Sequence, residues 1–270
     1  MTNKLKKIAF ARRLDVLEMV YHSGAGHIGG SMSCMDILVA LYYNIMDTDK
    51  IKKENPNKDR FILSKGHCAE ALYAVLADTG FIEKSELETF TSFNTRLAEH
   101  PTYKIPGVEM ATGALGHGLS AGVGMAIGQK LGGSDANVYV LMGDGELAEG
   151  SIWEALMSAG KYKLDNLVCF IDRNRLQISG STEDVMPLDD LKEKLLAFGL
   201  SVTECDGHSA DAIIDAVSSR PTGCPTAIIC STIKGYGSPV MENKAKWHHA
   251  IPDDEQYLQI KKDLELALSH

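Results

Sequence analysis

Two short stretches carry residue types suited to gripping a metal ion. In MGDGELAEG, residues 142–150, Asp144 stands between two glycines directly after the apolar run 138–142. In FIDRNRLQI, residues 170–178, Asn174 follows the apolar run 167–171. They lie 30 residues apart, room for one helix and one strand. A carboxylate and an amide oxygen brought to one sheet edge suit a hard divalent cation, with phosphate oxygens and a water completing an octahedron. Gly143 and Gly145 would let a diphosphate approach the main chain, and a helix starting near Glu149 would offer its N-terminal amides to the anion. Singly, Asp144 reads better as a helix cap and Asn174 as a turn residue. Placed after consecutive strands, they point to one shared site.

The elements that must position them follow from the apolar pattern. NVYVLM, NLVCFID, LSVTEC and TAIICST alternate with helical patterns at 149–160, 188–198 and 209–219. This predicts an α/β fold, a doubly wound, mainly parallel sheet with helices on both faces and a ligand site at the carboxyl ends of its strands. Upstream, the periodicity predicts a helix over 4–22, glycine-permitted turns over 23–33 and a buried helix over 35–46 with Asp36 in its first turn. A short strand at 61–63 leads into SKGH and a helix near 69–79. Residues 81–108 are polar, with Pro101 and Pro106, and are expected to form one helix near 85–92 and then a long surface excursion. The tail from residue 253 reads as a charged amphipathic helix. Gly116, Gly118, Gly122, Gly124 and Gly128 follow no strand run and have the wrong spacing for a dinucleotide fingerprint. They suit close helix packing, against a partner or within the chain's own core.

The 270 residues suffice for one large α/β domain, residues 1–270, with a helical extension before the sheet and a helix after it. Lys plus Arg number 27 against 36 Asp plus Glu, a net charge of −9 that repels nucleic acid and anionic lipid. The six cysteines form no CxxC pair, no stretch reaches the length of a membrane span, and the N-terminus has no secretory pattern. The chain is expected to be soluble, cytoplasmic and reduced.

Beyond GDG and the downstream Asn, the ordered words SGAGHIGGSMSCMDIL, DRFILSKGHCAEALYAVL, PGVEMATGALGHGLSAGVGMA and STIKGYGSPVMENKAKWHHAIP resemble the N-terminal, diphosphate-binding half of transketolase, over about residues 10–252. The resemblance implies thiamine diphosphate and Mg2+, with Ca2+ or Mn2+ as substitutes. It places Asp144, Asn174 and the carbonyl of Leu176 on the metal and Gly145 on the diphosphate. His67 and His248 fall at the cofactor, Gly113 and Leu115 at its aminopyrimidine, and His27 and His100 in the substrate channel. Glu149 and Glu154 match carboxylates at a subunit interface close to the cofactor. The other histidines, His22, His117, His208, His249 and His270, are expected to have no role, and His117 stands where the family has Gln. Lys234 and Glu99 also depart from the full-length pattern.

Ketol transfer, the family's reaction, breaks a carbon–carbon bond beside a carbonyl and moves protons on hydroxyl groups, work suited to imidazoles. In transketolases, the carboxylate that protonates the aminopyrimidine belongs to a second domain, for which this sequence has no strand pattern after HHAIPDDE. The expectation is the N-terminal subunit of a split transketolase acting on sugar phosphates with a C-terminal partner subunit, in an α2β2 assembly. Half of a 1-deoxyxylulose-phosphate synthase or of a 2-oxo acid dehydrogenase, and a non-catalytic cofactor-binding module, stay open as alternatives.

Overall fold

A computed structural model describes residues 2–269. Helix α1 (Thr2–Ser23) is followed by α2 (Ile28–Ala40), which runs on as a wider turn over Leu41–Ile45, and by the short α3 (Thr48–Lys52). Strand β1 (Arg60–Leu63), α4 (Ala69–Asp78), α5 (His117–Leu131), β2 (Val138–Gly143), α6 (Gly150–Lys161) and β3 (Leu167–Arg173) come next. A small hairpin of β4 (Leu176–Gln177) and β5 (Gly180–Ser181) and the single turn α7 (Thr182–Val185) lead to α8 (Leu191–Ala197), β6 (Ser201–Asp206), α9 (Ala210–Ser218), β7 (Thr226–Ser231) and α10 (Asp254–Ser269). The five longer strands make one parallel sheet in the order β1-β2-β3-β7-β6, as the alternation of elements predicts.

Helices cover both faces, so the inner strands are apolar at successive positions rather than alternating with polar ones. Tyr139 and Leu141 of β2, Val168 and Phe170 of β3, and Ile228 and Cys230 of β7 enter the core that includes α1, α2, α4, α9 and α10. Their neighbours Val138, Val140, Met142, Leu167, Cys169, Ile171, Ala227 and Ile229 enter the core under α5, α6 and α8. Two glycines let α5 lie close on the sheet. A Cβ at Gly118 would meet the Ser64 side chain at 2.6 Å, and one at Gly122 would meet Val140 at 2.6 Å, whereas Gly124 and Gly128 face no atom within 4 Å. Own-core packing thus accounts for one pair and leaves the other open. Because the strands are parallel, their carboxyl ends deliver Ser64–His67, Asp144, Asn174, His208 and Lys234 to one edge.

The upstream half departs from the sequence pattern in three places. The glycine-rich stretch is a turn only over residues 24–27, and α2 takes in Gly29 and Gly30, since helix packing there demands small residues. A Cβ at Gly29 would meet the Trp247 carbonyl oxygen at 2.5 Å, and one at Gly30 would meet Cys68 Sγ at 2.7 Å. Asp36 is therefore in the interior of a helix, and the macrodipole does not account for it. Arg13, fully buried, donates to Asp36 Oδ2 at 2.5 Å and to the Met32 carbonyl, and His208 Nδ1 lies 2.9 Å from the same carboxylate. Burial pushes the Asp36 carboxyl up, but these cations and hydrogen bonds outweigh it and hold it below its usual value. Finally, 85–92 is only a tight 3-10 turn over Lys84–Thr89, and the segment after it is no surface excursion. Leu87, Phe90, Leu97 and Ile105 are buried, and Arg96 grips Glu86 with two 2.8 Å bonds. Four apolar anchors in a polar background show no period, which is why the sequence alone reads as surface.

Candidate functional site

At the carboxyl edge, Asp144 follows β2 and is 2% exposed. Its Oδ1 accepts from the Gly145 amide at 2.8 Å, and its Oδ2 from the Arg175 amide at 2.5 Å and Arg173 Nη1 at 3.2 Å. Burial, reinforced by nearby Asp172, pushes its carboxyl up. Asn174 follows β3, its Oδ1 accepting from the Leu176 amide at 3.1 Å. Its Nδ2 is 3.4 Å from both Ser33 Oγ and Asp172 Oδ2. The Leu176 carbonyl accepts from Lys234 Nζ at 3.2 Å.

Behind these groups lies a charged layer that no motif marked. Asp172, fully buried at the end of β3, accepts from Lys65 Nζ, from Ser33 Oγ at 2.6 Å and from Thr232 Oγ1. It thereby ties α2, the end of β1 and the end of β7 to the central strand. Glu146, also buried, accepts from Ser64 Oγ at 2.5 Å, the Gly116 amide at 2.9 Å and the Gly143 amide at 3.1 Å. A charged residue inside an apolar word such as LVCFIDR is the signal that could have found Asp172, since a buried charge persists only with partners. Lys65 is paired with Asp172, but Lys234 has only a carbonyl oxygen and, at 3.0 Å, His248 Nδ1. Burial and the charge on Lys65 lower the Lys234 amine to about 8. Two buried lysines with one intimate carboxylate between them leave a positive charge that suits an anionic group.

The histidines converge beside this layer. From the His27 ring, the centroids of His67, His100 and His248 lie at 5.4, 5.8 and 5.7 Å, and His67 stacks on His248 at 5.1 Å. His249, read as a residue without a role, is closer still at 4.6 Å. His208 has a structural role instead: its Nε2 accepts from the Ile233 amide, so its Nδ1–H points at Asp36. His22 and His117 are exposed, and His270 lies outside the described residues. Burial first, then neighbouring imidazoles, hold His27 down at about 4. Burial and the Lys234 charge hold His248 down at about 3, so both are neutral at pH 7. Because Lys234 donates to His248 Nδ1, the neutral ring carries its proton on Nε2.

His27 is fixed from behind by Glu70 of α4. Fully buried, Glu70 accepts from the His27 amide and, at 3.0 Å, from Ser31 Oγ, capping the N-terminus of α2 from another helix. Gly26, at φ +129°, is required there because a Cβ would run into the Glu70 carboxylate. Burial drives the Glu70 carboxyl up to about 8. Gly113, at φ +146°, lies against the His100 ring, where a Cβ would come within 2.8 Å. Leu115 is half-buried on the same segment.

Two expectations shift. The first turn of α6 does not follow Asp144 directly, because a 3-10 turn over Gly145–Ala148 intervenes. That first turn packs on Gly116, whose carbonyl accepts from Ser151 Oγ at 3.0 Å, so buried lysines rather than helix amides supply the positive field. Glu149 and Glu154 are exposed on α6, away from the histidine cluster.

Fold and site together define a parallel α/β cofactor-binding unit with oxygen donors, a cationic layer and an imidazole ring at one sheet edge. Residues 4–268 match the family described as transketolase, thiamine diphosphate binding domain. The chain is 48% identical over 254 residues to the first of the two named subunits of apulose-4-phosphate transketolase from Phocaeicola vulgatus, covering 93% of this chain and 90% of that protein. It is 40% identical over 252 residues to the 6-deoxy-6-sulfo-D-fructose transketolase subunit SqwG of a Clostridium species, covering 92% of each. A solved Pichia stipitis transketolase in complex with sedoheptulose 7-phosphate superposes with a TM-score of 0.92 at 28% identity, over 100% of this chain but 42% of that one. The chain belongs to the transketolase family and is its thiamine diphosphate binding domain. It spans about two-fifths of the solved full-length transketolases and nearly all of the relatives named as transketolase subunits. No helix among the described residues is long and apolar enough to cross a membrane.

Proposed function

We propose that the chain is the cofactor-holding half of a two-chain, cytoplasmic transketolase, residues 1–270 acting as one unit that becomes active with a C-terminal partner subunit in an α2β2 assembly. The observation that carries this is the convergence of oxygen donors and two buried lysines on one sheet edge beside the imidazoles. The near-complete coverage of relatives named as subunits supports the two-chain reading. Asp144, the amide oxygen of Asn174 and the Leu176 carbonyl would hold Mg2+, with Ca2+ or Mn2+ as hard-oxygen substitutes. Lys234 would then exchange the Leu176 carbonyl for a phosphate oxygen, and Lys65 and the Gly145 amide would face the same diphosphate. Gly113 and Leu115 would meet the aminopyrimidine through their main chain. Glu149 and Glu154, with the open Gly124 and Gly128, lie on outward surfaces of α5 and α6 suited to a subunit interface next to the cofactor.

When bound, thiamine diphosphate supplies the electron sink for the pair released as the carbon–carbon bond beside the carbonyl breaks. His27 and His248, held neutral, serve the reaction as N–H donors to oxygens on which negative charge grows, rather than as strong bases. His67 and His100 complete the polar wall. The donor is a ketose phosphate or a comparably anionic ketose. The relatives are named for apulose 4-phosphate and a sulfo-fructose, which favours such sugars over the pentose phosphates. The test is reconstitution. The isolated chain is expected to show no ketol transfer and to gain it when the partner is added. Turnover by the isolated chain equal to that of the assembly would overturn the two-chain reading, and turnover of pyruvate in place of ketoses would favour the synthase or dehydrogenase alternatives.

A further inference from the structure

The mouth of the histidine cluster holds three ligand atoms from three separate segments: His27 before α2, Glu99 in the segment between α4 and α5, and His249 in the turn over Ala245–His249. His27 Nδ1 lies 3.7 Å and His249 Nε2 lies 3.4 Å from Glu99 Oε2, and all three ligand atoms fall within 4.8 Å of one another. Among the described residues no other trio of His, Cys, Asp or Glu side chains comes so close. His27 Nδ1 is buried and makes no hydrogen bond, an arrangement that calls for a partner. We infer that His27, Glu99 and His249 form a second cation site, distinct from the oxygen-lined one, that takes a divalent transition metal of the zinc class.

The donor set supports that class. Two imidazoles and one carboxylate favour Zn2+ or Co2+ over Mg2+, which prefers oxygen ligands. Ligand bonds of about 2.0–2.2 Å in a tetrahedron put neighbouring donors about 3.4 Å apart. Two of the three edges are already close to that, and the third closes by movement of His249, whose side chain is 55% exposed. Three protein ligands leave one position open toward the channel. An ion there would engage His27 and so couple metal occupancy to sugar binding; that consequence rests on the proposed role of His27, but the site itself does not.

The test uses the full chain without cofactor or partner, with excess Mg2+ to fill oxygen sites, titrated with Co2+ and read by its visible absorption and by calorimetry. One Co2+ per chain is expected, without the near-ultraviolet charge-transfer bands of thiolate ligation. His249→Ala and Glu99→Gln are each expected to weaken Co2+ binding by at least about tenfold, with unchanged circular dichroism showing that the variants fold. No stoichiometric uptake, or equal affinity in the wild type and both variants, would overturn the site. Either result leaves the ketol-transfer reading intact, because no turnover is measured.

Discussion

Glu70→Gln is a sensitive test of how the fold holds His27. The amide has the shape of a protonated carboxyl, so it can still accept from the His27 amide and can donate to Ser31 Oγ. The folded carboxyl titrates at about 8 against 4.5 for its ordinary value. Below pH 4.5 it is protonated in both folded and unfolded chains, and the stability tied to its protonation is fully present. Between 4.5 and 8 the folded state holds a proton that the unfolded state lacks, so stability falls by about 1.4 kcal/mol per pH unit. From pH 6.5 to 8 the loss is about 2 kcal/mol, which in a chain of this length lowers Tm by about 3 °C. His27 and His248 titrate below this window and Lys234 at or above its upper end, and their contributions cancel when the two proteins are compared. The assay is thermal unfolding of the cofactor-free chain at closely spaced pH values. Wild type and Glu70→Gln are expected to melt together near pH 6.5 and to diverge by about 3 °C at pH 8, the variant being the more stable. A Tm difference that stays constant across this range would refute both the buried, proton-holding carboxyl and its role as a tertiary cap.

Lys234→Met separates stability from binding. Burial and Lys65 lower the amine from 10.5 to about 8, so the charged lysine costs the cofactor-free fold up to about 3 kcal/mol below pH 8. The methionine variant is expected to unfold at higher denaturant concentration at pH 7, yet to bind thiamine diphosphate less tightly in the assembled enzyme; unchanged cofactor affinity would remove Lys234 from the diphosphate site. Asp144→Ala is expected to weaken Mg2+-dependent binding of thiamine diphosphate by at least about tenfold, read by calorimetry with and without Mg2+. Retained Mg2+ dependence would discard the metal assignment.

The apolar runs and their spacing determined the parallel sheet, because a strand covered on both faces must be apolar throughout and a parallel crossover needs a helix between strands. The same order put Asp144 and Asn174 at one edge, and the histidines of SGAGHIGG, SKGH, EHP and KWHH were legible as words before any coordinate. Tertiary structure alone decided what surrounds them. Asp172 sits on Lys65 rather than on solvent, Glu70 caps a helix to which it does not belong, and Lys234 points inward with no carboxylate in hydrogen-bond reach. Asp36 shows the limit: read locally it belonged to a helix start, but Arg13 and His208, far away in sequence, hold its charge. Local pattern records which surface is apolar, whereas the state of a buried charge depends on partners that the chain brings together only on folding.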